Sequence, residues 1–144
     1  MRKDVIVISF GIILIATVFC GCQSSQVKNE YKAIFESDVV HLVNYSIEKR
    51  MNKTDIVEVI ISGRIENKMD RMINVNISAH LYDKNGDLIG IGFYRINFLR
   101  AKPNPGYSTT FDITYNGRGT NNIAISGKSV NEIDHITLRA EEVM

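Results

Sequence analysis

Between Met72 and Tyr82 the chain alternates, with Ile73, Val75, Ile77, Ala79 and Leu81 set against Asn74, Asn76, Ser78, His80 and Tyr82. A period of two predicts a β-strand with one face in a core and the other in water. Asp83-Lys84-Asn85-Gly86-Asp87 follows, a turn in which Asn85 and Gly86 suit positive φ, and then an apolar run from Leu88 to Leu99. That succession predicts a β-hairpin. In its second arm Ile89, Ile91 and Phe93 share one phase while Ile96 and Phe98 take the other, which predicts a bulge or bend near Tyr94. Gly90 and Gly92 allow close packing there.

The remaining apolar runs are also short. Val39 to Ile47 and Ile56 to Ile65, rich in β-branched and aromatic residues, predict a second hairpin across Glu48 to Asp55. Ala101 to Gly106, with Pro103 and Pro105, breaks the pattern, and Tyr107 to Tyr115 resumes it with Phe111, Ile113 and Tyr115 on one face. After the loop Asn116 to Asn122 come Ile123 to Ile125 and Ile133 to Ala140. About seven strands with turns every ten residues or so predict an all-β fold, a small antiparallel sandwich. Tyr31, Ile34 and Phe35 would suit one helical turn, in a segment too short to assign.

The N-terminus follows another pattern. Arg2 and Lys3 precede an unbroken apolar run from Val5 to Phe19, the layout of a secretory signal helix. Phe19-Cys20-Gly21-Cys22 is similar to the lipobox of prokaryotic lipoproteins, in which a small residue precedes a cysteine that is acylated and becomes the mature N-terminus. The resemblance makes Gly21-Cys22 the cleavage point and Cys22 the lipidated residue; Phe19 departs from the usual aliphatic. Two or three acyl chains, as such lipoproteins carry, would hold the protein firmly to a membrane, since burial is worth about 0.8 kcal/mol per CH₂. An uncleaved anchor is the alternative, and either places the domain on the extracytoplasmic face of the cell membrane. The expected partition is residues 1–21 as signal, 22–37 as lipidated cysteine and tether, and 38–144 as the sandwich domain.

Composition narrows function by exclusion. The chain has 144 residues with 44% hydrophobic content, enough for one globular domain once a leader is removed. A formal net charge of +1 offers no basic stripe for nucleic acid. Both cysteines, Cys20 and Cys22, lie in the leader region, so the expected domain has no disulfide or thiol chemistry.

Two stretches resemble the FxLYD domain, an immunoglobulin-like β-sandwich found in prokaryotic extracytoplasmic proteins, often behind a lipoprotein signal. Ile61-Ser62-Gly63-Arg64-Ile65-Glu66-Asn67 is similar to that family's "v-x-G-x-v-x-N" strand, and Val75 to Asp83 to its signature strand, with Leu81, Tyr82 and Asp83 matching and Ala79 standing where the family has Phe. The Pro-Gly stretch before Tyr107 is similar to its "P-G-x" turn. The resemblance covers roughly Ile56 to Ala140 and implies an immunoglobulin-like sandwich, not a chemistry. Leu81 is then a core residue, Tyr82 covers the outer sheet face, Asp83 accepts backbone N–H bonds in the turn, and Phe93 or Phe98 offsets the small Ala79.

Chemical motifs are sparse. Asp83, Asn85 and Asp87 alternate like the start of a calcium loop, but an EF-hand needs Gly at loop position six and Glu at twelve, and here Gly86 is at four and Tyr94 at twelve. His41, His80 and His135 lack partners at zinc spacing, and no Gly-x-Ser-x-Gly elbow anchors a catalytic triad. Neither a catalytic residue, nor a metal site, nor a cofactor is therefore expected. Asn44, Asn52 and Asn76 begin glycosylation sequons, relevant only in a host that uses them. Lys49, Arg50 and Lys53 form a small basic cluster that reads as a solvated turn. The expected function is a membrane-anchored binding or interaction module that meets another envelope protein through loops, with Asn104, Arg118 and Asn121 as candidate residues. The alternative is a structural spacer in an envelope assembly.

Overall fold

The computed structural model describes residues 31–144; the expected signal segment, Gly21 and Cys22 lie outside the described residues. Eight strands form two sheets: β1 (Lys32–Glu36), β2 (Val40–Asn52), β3 (Asp55–Asn67), β4 (Ile73–Tyr82), β5 (Leu88–Leu99), β6 (Ser108–Tyr115), β7 (Asn122–Ala124) and β8 (His135–Val143), with a 3-10 turn at Val130–Glu132. The order is β1-β8-β4-β5-β7 in one sheet and β2-β3-β6 in the other. Connections pass between the sheets after β1, β3, β5 and β6, so both layers are built from strands scattered along the chain. The all-β sandwich is as expected. It has one strand more than expected, and β1 pairs parallel to β8 while every other pairing is antiparallel.

The extra strand corrects the extent of the tether. Tyr31, Ala33 and Phe35 alternate with Lys32, Ile34 and Glu36, so the segment carries a strand period, and its inward residues join the core. The domain thus begins before residue 38. Ser37 fixes the crossing that follows: its hydroxyl donates to the Ala140 carbonyl at 2.7 Å and accepts from the amides of Val39 and Val40 at 3.2 Å.

The core lies between the sheets. Val59, Ile61 and Ile65 from β3 and Phe111, Ile113 and Tyr115 from β6 meet Val75, Ile77, Ala79 and Leu81 from β4 and Ile136 and Leu138 from β8, all buried. The hairpin of β2 and β3 is tighter than expected, with only Lys53-Thr54 between the strands and Lys53 at φ 57°.

In β5 the irregularity lies elsewhere than near Tyr94. Leu81 pairs with Gly90 and Tyr82 with Leu88, so Ile89 is an extra residue turned into the core; Val75 pairs with Ile96 and Ile73 with Leu99, so Asn97-Phe98 forms a second bulge. Between the bulges Gly90, Gly92, Tyr94 and Ile96 oppose the inward residues of β4, and Ile91 and Phe93 point outward. Phe93 and Phe98 therefore do not compensate for Ala79. Ala79 pairs with Gly92, and Ile113 comes from the other sheet to lie against that glycine.

Candidate functional site

Strand register gives the sandwich two distinct ends. Lys32 is level with His135 and Tyr82, which places Tyr31, where the described chain begins, at one end. From Tyr82 back to Ile73, β4 runs roughly 30 Å at ~3.3 Å per residue to the far end, where Leu99 pairs with Ile73. The loop residues singled out in the sequence are separated by this frame. Asn104 lies at the far end, Arg118 follows Tyr115 toward the near end, and the Asn121 carbonyl accepts from Phe93 N at 2.9 Å beside the middle of the larger sheet. These three residues do not form one site.

At the near end the Asp83 turn is self-contained. Asp83 Oδ1 accepts the amides of Asn85 and Asp87, each at 2.9 Å, and Oδ2 accepts Lys128 Nζ at 2.8 Å. The expected turn role of Asp83 holds, and both its oxygens are occupied by the chain itself. The Lys128 ammonium, then the backbone donors, hold the Asp83 carboxyl below its ordinary range. Depression of a folded-state value stabilises the fold above the unfolded value, and that stabilisation is lost as pH falls through the folded value. Asp83→Asn is therefore expected to melt at a lower temperature than the parent at neutral pH, with the gap closing in strong acid. Thermal melts at both conditions check this; a gap unchanged in acid would contradict it.

Nearby, Tyr82 stacks on His135 with ring centres 5.1 Å apart, covering the outer face of the sheet. Ser78 Oγ lies 3.1 Å from His80 Nε2, but among the described residues no carboxylate bonds the other ring nitrogen, so the pair lacks the third member of a triad. Arg50 and Arg118 border a groove of about 550 Å³ with Val57, Glu58 and Asn116, in which Arg50 pairs with Glu58 at 3.1 Å. Among the described residues, no group of three His, Cys, Asp or Glu side chains could hold a metal ion.

The far end is built around Asn67, which is buried. Its Nδ2 donates toward the carbonyls of Arg71, Leu99 and Arg100 at 2.9 to 3.1 Å, and its Oδ1 accepts Met69 N at 2.8 Å. One side chain thus ties the loop after β3 to the end of β5. The proline loop closes on itself: Arg100 N bonds the Gly106 carbonyl at 3.1 Å, and both Asn104 nitrogens donate to the Ala101 carbonyl at 3.0 Å. Asn104 is a loop fastener, its amide donor already engaged. Lys102 pairs with Glu66 at 2.9 Å, which raises the lysine's affinity for its proton.

Against this closed framework one residue stands out. Phe98 is 69% exposed, and its backbone is left-handed at φ 61°. That conformation costs a bulky L-residue roughly 1–2 kcal/mol, and an aromatic ring in water returns little of it through burial. The bulge is fastened by Asn74, whose Oδ1 accepts Phe98 N at 2.9 Å. Met72, 53% exposed, precedes the paired start of β4 beside it. Sequence reasoning placed Phe98 in the core because the second bulge, which reverses its phase, leaves no local signature.

No family model, curated protein or solved structure matches this chain.

Proposed function

We propose that this protein is a membrane-anchored extracytoplasmic lipoprotein whose β-sandwich is an interaction module, with Phe98 at the centre of the surface that meets another envelope protein. The observation that carries the reading is the exposed, left-handed Phe98. Aromatic residues, Phe among them, are enriched at protein interfaces relative to the rest of the surface, and a strained backbone persists where the surrounding structure over-determines it. Lipid on Cys22 would leave roughly nine residues before Tyr31, a reach of at most ~30 Å, so the near end would be the end tied to the bilayer. The kinship proposed is with FxLYD domains. It is supported by the buried Asn67 and by Leu81 in the core, Tyr82 on the outer face and Asp83 in the turn, the places that the resemblance implies for those three.

Phe98→Gly separates a folding role from a binding role, because glycine adopts positive φ without a Cβ clash. The full-length variant is expected to melt at the parent's temperature or above it, while cross-linking in intact cells no longer captures the protein's partner. Undiminished capture would remove Phe98 from the interface. In the same cells the parent should fractionate with membranes and show an acyl-modified Cys22 as its first residue by mass spectrometry; an unmodified Cys22 would overturn the lipid anchor.

A further inference from the structure

We infer that the surface Phe98 enters is an apolar pocket on a partner protein bordered by carboxylates, which Arg95 and Arg100 reach. The inference rests on the contact role proposed above for Phe98. Its own support is the charge distribution around the bulge. Of the cations at this end, Arg71 is matched by two hydrogen bonds to Glu142 and Lys102 by Glu66, while Lys68, exposed in the loop after β3, makes no ion pair among the described residues. Arg95 on β5 and Arg100 just past its end, both exposed and flanking Phe98 in the chain, make no ion pair among the described residues.

Their placement is specific. Arg95 Nε donates to Asn97 Oδ1 at 3.1 Å, which draws its guanidinium along β5 toward the bulge. Arg100 runs its aliphatic stem beside Gly106, its Cδ 3.7 Å from where a Cβ would stand there, on the other side of Phe98 in the chain. Glu141, the acid on the row of Arg95 and Asn76, belongs to β8 two strands away, about 10 Å at the usual spacing. An aromatic anchor between two guanidinium groups with spare donors is complementary to an apolar cavity with a carboxylate rim, since arginine binds carboxylates through paired N–H groups. The same positions would be repelled by a basic surface, which gives the contact direction as well as affinity.

The test places a photo-cross-linking amino acid at Met72, beside the anchor, in the full-length protein in intact cells. It compares the parent with Phe98→Gly, the double variant Arg95→Glu with Arg100→Glu, and Lys84→Glu at the near end as a control; melting temperatures confirm that each folds. The expected result is one captured protein, lost in Phe98→Gly, reduced at least tenfold in the double variant, weakened by added salt, unchanged in Lys84→Glu, and linked through a segment containing Asp or Glu. Capture that needs Phe98 but ignores the double charge reversal would overturn the acidic pocket and leave the Phe98 contact standing. Capture indifferent to Phe98→Gly, or cross-links only to lipid or to a second copy of this chain, would overturn both.

Discussion

Gly90→Ala is expected to destabilise the sandwich by about 3 kcal/mol, the upper part of the range for overpacking a closed core. A Cβ at Gly90 would overlap Tyr115 Oη and lie 2.5 Å from Tyr115 Cζ and 2.7 Å from the Ile123 carbonyl oxygen. Those groups approach from different sides: Tyr115 comes from the opposite sheet and Ile123 from β7, paired to β5 at this point. Neither has room to retreat, since Tyr115 is 1% exposed and the Ile123 oxygen belongs to the backbone. Gly92→Ala meets chiefly the Ile113 Cγ2 methyl at 2.6 Å, a single side-chain contact, and is expected to cost less. Adding Tyr115→Phe to Gly90→Ala should recover part of the loss by removing the hydroxyl, at the expense of its 3.4 Å bond to the Ile89 carbonyl. Denaturant midpoints of the two single variants and the double variant measure the order; equal losses at Gly90 and Gly92 would contradict the packing account.

The second large effect is expected at Asn67. Asn67→Ala removes a donor from the buried Leu99 carbonyl and an acceptor from Met69 N, and each buried polar group left unpaired costs ~1–3 kcal/mol, so a loss of about 3 kcal/mol is expected. Asn67→Asp separates the contributions: it keeps an acceptor for Met69 N but turns a second oxygen toward three carbonyls. Its loss should equal or exceed that of alanine at neutral pH. If Asn67→Asp is as stable as the parent in urea unfolding, the donor bonds to the β5 end are not what holds this loop.

The readability of the fold varied with how local its determinants are. β4 was legible because its inward residues recur every second position without interruption, and the Asp83 turn because Asn85 and Gly86 select it within five residues. β1 was hidden because Ile34 occupies the outward phase and is 54% exposed, so Tyr31, Ile34 and Phe35 imitate a helical spacing. Its strand state depends on β8, about a hundred residues later, which no local pattern announces. The same non-locality governs the candidate site. Whether Phe98 points inward or outward is decided by how β5 pairs with β4 on either side of the Asn97-Phe98 bulge, and that pairing was inaccessible to periodicity. Loop composition pointed to Asn104 and Arg118, but one amide closes its own turn and the other residue lies toward the opposite end.

The parallel pairing of β1 with β8 also determines how the domain bears a load. A pull on the chain preceding Tyr31 acts along β1, away from the far end, while β8 is retained by β4 on its other side. The hydrogen bonds between β1 and β8 then resist together as the strands try to slide past one another, and the inward side chains Ala33 and Phe35 would have to be dragged through the core margin at the same time. Had the chain entered through a hairpin at this end, the bonds would open one after another like a zipper. The order in which the strands are joined thus makes the first strand of the domain its mechanical fastening.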